Sequence, residues 1–139
     1  SENNMKFLTE EWTTEFIAQA KDNFAPGKTP SKVTLTLCEC YNKVPHLGGD
    51  TVWYMYKFNN GVLESVERGM GRANAPAADY TSDADYDFFV KTMTGEMSTA
   101  KALTTGKIKL KGNLMKALKL LDTHNILTEQ KKLDGKTEW

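Results

Sequence analysis

The amino-acid sequence predicts an α+β fold on three observations. An apolar stripe at four-residue spacing near the front marks a helix. Alternating apolar and polar runs follow it between Val33 and Arg68. The stretch Tyr86 to Leu121 then reads as helix, short helix, strand and helix, divided by Gly95, Gly106 and Gly112. At 139 residues the chain has the length of one domain, 1–139, with room for a sizeable core. Eighteen Lys and Arg balance eighteen Asp and Glu, so the chain lacks the positive field of a dedicated nucleic-acid binder, and nucleic acid is not expected as a partner.

Residues 1–6 are polar and read as a flexible tail. Glu10 and Glu11 favour a helix start through its dipole. Trp12, Phe16, Ala20 and Phe24, joined by Ile17, form one amphipathic stripe that Pro26-Gly27 ends. Val33, Leu35 and Leu37 alternate with Thr34, Thr36 and Cys38, which predicts a strand with one apolar face. A turn-rich segment from Pro45 to Asp50 leads to a second strand, with Val52, Tyr54, Tyr56 and Phe58 on one side and Trp53, Met55 and Lys57 on the other. Asn59-Asn60-Gly61 tolerates positive φ, so Val62 to Arg68 returns as the hairpin partner.

Gly69 to Ala78 has the composition of a loop leading to a short edge strand at Asp79 to Thr81. Ser82 and Asp85 have capping-box spacing ahead of a helix whose Tyr86, Phe89, Val90 and Met93 share a face. Gly95 stops it. A shorter helix at Ser98 to Thr104 presents Ala100 and Leu103. In Lys107 to Lys111, Ile108 and Leu110 point one way and three lysines the other. Asn113 then caps a last helix with Leu114, Ala117, Leu118 and Leu121 as its stripe and Lys116 and Lys119 solvated. Ile126, Leu127 and Leu133 extend that helix with a bend or form a second one, and 134–139 reads as a tail.

The pattern resembles the sterol carrier protein 2 (SCP2) family in its single-domain prokaryotic form. The residues that carry the likeness are Asp85-Tyr86-Asp87-Phe88 opening a helix, Met93-Thr94-Gly95-Glu96-Met97 at its end, and Ala100. They continue through Thr105-Gly106-Lys107-Ile108-Lys109-Leu110-Lys111-Gly112-Asn113 and a closing helix with Met115, Ala117, Lys119 and Leu120. Phe7-Leu8-Thr9-Glu10-Glu11-Trp12 is similar to the family's opening, with weaker motifs. The resemblance implies an SCP2-like, five-stranded, mostly antiparallel sheet with helices on one face and a hydrophobic cavity between the layers. It also implies noncatalytic binding or transfer of fatty acid, acyl-CoA, sterol-like or other lipid. Thr137-Glu138-Trp139 departs from the Ser-Lys-Leu type of peroxisomal address, so neither a peroxisomal role nor sterol as the ligand is carried over.

On this reading the lipid-binding walls are Leu35, Leu37, Tyr54, Tyr56, Phe58, Ile108 and Leu110, under a roof of Phe89, Met93, Met97, Leu103, Met115 and Leu118. Methionine suits ligands of varied outline. The hydroxyls of Tyr54 and Tyr56 are candidates for orienting a headgroup. Apart from an anionic membrane or headgroup meeting Lys107, Lys109 and Lys111, the plainer account of that row is a solvated strand face.

Cys38 and Cys40 project from one strand face, a spacing poorly suited to a mutual bridge. With His46 they fall short of a four-ligand zinc site, so no metal and no cofactor are expected. Ser98-Thr99-Ala100-Lys101 matches a serine β-lactamase motif without its companions. The two histidines belong to no evident catalytic arrangement, and no enzyme activity is expected. No apolar run reaches the roughly 20 residues of a membrane span, and no leader is visible, which predicts a cytoplasmic protein. Trp53 and Met55 are too apolar for free solvent and mark a homodimer contact or cover by the tail. The alternative function is an SCP2-like interaction module that dimerises or docks a partner enzyme without lipid cargo.

Overall fold

A computed structural model describes residues 4–28 and 32–139, with the side chains of Leu114, Ala117 and Leu118 outside that description. The elements run β1 (Met5–Lys6), α1 (Glu10–Asn23), β2 (Leu35–Asn42), β3 (Val52–Asn59), β4 (Val62–Met70) and β5 (Tyr80–Asp85). They continue through α2 (Tyr86–Met93), α3 (Thr99–Thr104), β6 (Ile108–Gly112), α4 (Ala117–Lys131) and β7 (Thr137–Glu138). Five strands form one sheet in the order β4-β3-β2-β5-β6. Only the β2–β5 pairing in it is parallel; the other three are antiparallel.

The front half follows the expected physics. Thr9 caps α1, its Oγ1 accepting from the Trp12 N–H at 3.3 Å. Trp12, Phe16, Ala20 and Phe24 are all fully buried. Burying each of the three aromatic side chains is worth about 1.5–3 kcal/mol, which outweighs the helix's modest intrinsic propensity. Asn60 and Gly61 both take positive φ, 50° and 83°, and close the β3–β4 hairpin as a turn whose twist matches the strands. β2 continues through Asn42, beyond the expected Cys38, which places Glu39 and Tyr41 on the same face as Leu37.

Several expectations are corrected. The expected edge strand at Asp79 to Thr81 is the six-residue β5, and it lies inside the sheet between β2 and β6. Only Tyr80 and Ala84 of its residues are buried, so its sequence looks polar although its backbone is paired on both sides. Ser82 belongs to this strand, and Asp85 at the head of α2 makes no side-chain cap, so the capping box does not form. In α3 the buried residue is Ala102, and Ala100 is exposed. Asn113 caps a short 3₁₀ turn, Leu114–Lys116, through a 3.1 Å bond from the Met115 N–H to its Oδ1. Among the described side chains of α4 the buried ones are Leu120, Thr123, Leu127 and Lys131, and Leu121 is half-exposed.

Both segments that read as tails hold paired backbone. Met5–Lys6 and Thr137–Glu138 form a parallel two-stranded ribbon. The Trp12 indole N–H donates to Thr137 Oγ1 at 2.9 Å, and Trp139 packs edge-on against Phe7 at 4.9 Å. On the sheet's outer face, Trp53 packs with Cys38 and Cys40. Met55, Ala75 and Ala78 pack against this cluster. Ala75 and Ala78 thus bring the 71–79 connection against the outer face beside Trp53. Among the described residues, no helix is long and apolar enough to cross a membrane.

Candidate functional site

The inner face of the sheet is divided between two kinds of cover. Over β3 and β4, α1 lays down Trp12 and Phe16, which meet Tyr54 and Tyr56 edge to face at 6.2–6.4 Å, and this half is solidly filled. Over β2, β5 and β6 the cover is α2, α3 and α4, and here the layers leave a cavity of about 220 Å³. Leu37 and Glu39 of β2, Ser82 of β5, and Ile108 and Leu110 of β6 form its floor. Phe89, Thr99, Leu103, Leu120, Leu121 and His124 form its roof. Leu103 and Leu121, 39% and 49% exposed, mark its opening. Two other depressions are polar, one lined by Lys32, Asp79, Asn113, Lys116 and Lys119, the other by Asp83, Asp85, Lys107 and Lys109.

Of the positions expected from sequence, Leu37, Phe89, Leu103, Ile108 and Leu110 meet around this cavity. Tyr54, Tyr56 and Phe58 do not, because α1 and the residue that ends it lie on them: Phe58 packs on Phe24 at 5.2 Å. The tyrosine hydroxyls are also committed. That of Tyr54 shares a 2.6 Å bond with Thr13 Oγ1, and that of Tyr56 donates to Glu39 Oε1 at 2.6 Å. Leu35 lines the first of the polar depressions. Met93 and Met97 pack into the core without lining the cavity. Met115, expected in the roof, is 92% exposed, since the 3₁₀ turn before α4 rotates it outward. Leu118 lies outside the described side chains.

Sequence reasoning missed the polar side of the site. Glu39 and Lys131, each 2% exposed, form a buried ion pair with Lys131 Nζ donating to Glu39 Oε2 at 2.7 Å. Tyr41 also donates to Oε1, at 3.1 Å. Burial pushes the Glu39 carboxyl up, but the charge and hydrogen bond of Lys131, with the bond from Tyr56, more than offset it and leave it below the usual glutamate range. His124, facing the cavity from α4, is held below the ordinary imidazole value by burial first and then by Lys131, with Glu39 opposing. The strand period could have flagged Glu39, two residues past Leu37 on the apolar face; nothing local flagged Lys131.

Ser82, His124 and Glu39 share one cavity, yet they do not form a nucleophile relay. Ser82 Oγ is buried without a hydrogen-bond partner among the described residues. Both Glu39 oxygens are taken by Lys131 and the two tyrosines, so Glu39 does not orient the imidazole. On the opposite face the Cys38 and Cys40 sulfurs lie 4.0 Å apart as free thiols. His46 Nε2 is instead 2.7 Å from the Phe7 carbonyl. Among the described residues, no group of three or more His, Cys, Asp or Glu is placed to hold a metal ion.

The sequence profile of the SCP-2 sterol transfer family matches residues 52–123. Among solved structures, a crystal structure of sterol carrier protein 2 has a TM-score of 0.71 at 19% identity, over 89% of this chain and 95% of that one. The solution structure of a conserved hypothetical protein from Thermus thermophilus has a TM-score of 0.72 at 19% identity, over 94% and 90%. Apo sterol carrier protein 2 from Yarrowia lipolytica has a TM-score of 0.53 at 19% identity, over 89% and 95%. At such identities the likeness speaks for the fold. A search of curated proteins finds no sequence match.

Proposed function

The chain belongs to the SCP-2 sterol transfer family, and from that membership we propose that it binds and carries a lipid, fatty-acyl or sterol-like, without performing chemistry on it. The observation that carries this reading is the cavity itself. Seven of its lining side chains are apolar, and it opens at two half-exposed leucines in the layer between sheet and helices. A buried methylene contributes about 0.8 kcal/mol, so a chain placing about eight methylenes along floor and mouth would bind at tens of micromolar. The volume lies below the roughly 300–1,000 Å³ of common small-molecule sites. A long chain would therefore fill it and continue out between Leu103 and Leu121. The exposed row Lys107, Lys109 and Lys111 would hold this edge near an anionic membrane while cargo is exchanged, each lysine contributing about 1 kcal/mol near such a surface.

Native mass spectrometry of gently purified protein is expected to show a retained lipid, and stripped protein to take up a neutral fluorescent hydrocarbon. Ile108→Phe, which extends into the cavity from β6, is expected to weaken uptake about tenfold. If no member of a broad lipid panel binds at tens of micromolar, or Ile108→Phe binds as well as the parent, the reading fails.

A further inference from the structure

The outer face of the sheet, away from the cavity, carries a cluster of sulfur. Cys38 and Cys40, the chain's two cysteines, are fully buried with their sulfurs 4.0 Å apart. On β3, Met55 stands opposite Cys38 and Trp53 opposite Cys40, and opposed side chains have Cβ atoms about 4.5–5.5 Å apart. Met55 packs against the cluster and is half-buried; Ala75 and Ala78 pack against it as well. A disulfide between the two thiols is disfavoured. Two residues of strand span about 6.6–6.8 Å, the far limit for a bridge, and β2 is held on both sides by β3 and β5. One ion between the sulfurs needs no such closure. With metal–sulfur bonds of about 2.3 Å, the 4.0 Å separation sets a sulfur–metal–sulfur angle of about 120°, which suits three-coordination and leaves the third position to Met55.

We propose that Cys38, Cys40 and Met55 form a binding site for a soft monovalent metal ion, copper(I). Two thiols and a thioether are the ligand types that select copper(I). Zinc takes four ligands, whereas the cluster supplies three sulfurs set among Trp53, Ala75 and Ala78, with no fourth donor among the described residues packed there. Binding replaces two S–H bonds by two copper–sulfur bonds and releases two protons, with no change of oxidation state. The hydrogen bond shared by the thiols lowers Cys40, against burial, and raises Cys38, while the charge of Arg72 favours the thiolate at both. Met55 is the least buried of the three ligands and gives the ion its point of entry. The site goes beyond the carrier reading and does not depend on it, because the cavity lies on the sheet's other face.

The test uses the full chain, reduced and free of oxygen at pH 7.5, with copper(I) supplied as its complex with excess bicinchoninate. The parent is expected to withdraw one copper per chain and to develop the ultraviolet band of thiolate-bound copper(I). Cys40→Ala, which leaves a single thiol, is expected to lose about a hundredfold in affinity. Met55→Leu, a change of similar volume, is expected to lose about tenfold while both thiols remain. A parent that withdraws no copper overturns the proposal, as does a Cys40→Ala protein that holds copper as tightly as the parent. Parental affinity in Met55→Leu overturns it too, since the thioether is then not a ligand. Should Cys40→Ala fail to fold, the parent and Met55→Leu decide between them. Each of these outcomes leaves the carrier reading where lipid uptake puts it.

Discussion

Glu39 and Lys131 are the least expected residues of the interior. Two buried charges cost several kcal/mol each to desolvate, and their attraction repays this only with good geometry and satisfied lone pairs. The pair meets both conditions: a 2.7 Å bond from Lys131 and two tyrosine hydroxyls on the remaining oxygen. Its contribution is to arrangement more than to stability, since it ties the centre of the sheet to the far end of α4. Removing one partner strands the other. Lys131→Met is therefore expected to cost about 3–5 kcal/mol in urea unfolding, whereas Glu39→Gln/Lys131→Met costs well under the sum of the two single changes. Strict additivity across that cycle would mean the two groups do not interact as the 2.7 Å contact requires.

The elements were legible where one face was strongly apolar. The stripe Trp12, Phe16, Ala20, Phe24 and the alternation from Val52 to Phe58 correspond to α1 and β3, because packing against a single neighbour imposes a simple period. β5 was hidden for the opposite reason: Thr81, Ser82, Asp83 and Asp85 satisfy its outer face or the cavity, so no hydrophobic run announces a strand inside the sheet. A subtler element-level device is the cross-strand pair Trp53–Gly69. A Cβ at Gly69 would sit 2.1 Å from the Trp53 ring, so the indole occupies space left open because the glycine has no side chain. Gly69→Ala should destabilise by about 1–3 kcal/mol through overpacking, measured by urea unfolding, and adding Trp53→Leu should recover part of the loss. A Gly69→Ala protein within about 0.5 kcal/mol of the parent, the range of an ordinary surface change, would show that the ring moves aside freely.

At the scale of the whole molecule, one helix packs half of the sheet and three cover the other half incompletely. Sequence distinguished apolar from polar here but not filled from vacant. Tyr54 and Ile108 look equally suited to line a cavity until α1 is seen to lie on the first and α2 to α4 around the second. Two titrating groups of the incompletely filled half then make the fold sensitive to acid. His124 in the folded chain lies below the ordinary imidazole value of 6.5, so between those two values the unfolded chain binds more protons. Stability is full above pH 6.5 and is lost as pH falls through the folded value. Glu39 acts with the same sign lower down: its carboxyl lies below the ordinary 4.5, so its share persists above that pH and disappears as acid protonates it in the fold. Urea unfolding from pH 8 to pH 4 should therefore show a decline beginning near pH 6.5 and steepening below 4.5. His124→Gln should remove the upper part and leave the lower. If the variant loses stability between pH 6.5 and 4.5 as the parent does, the imidazole is not the group responsible for the upper part of the decline.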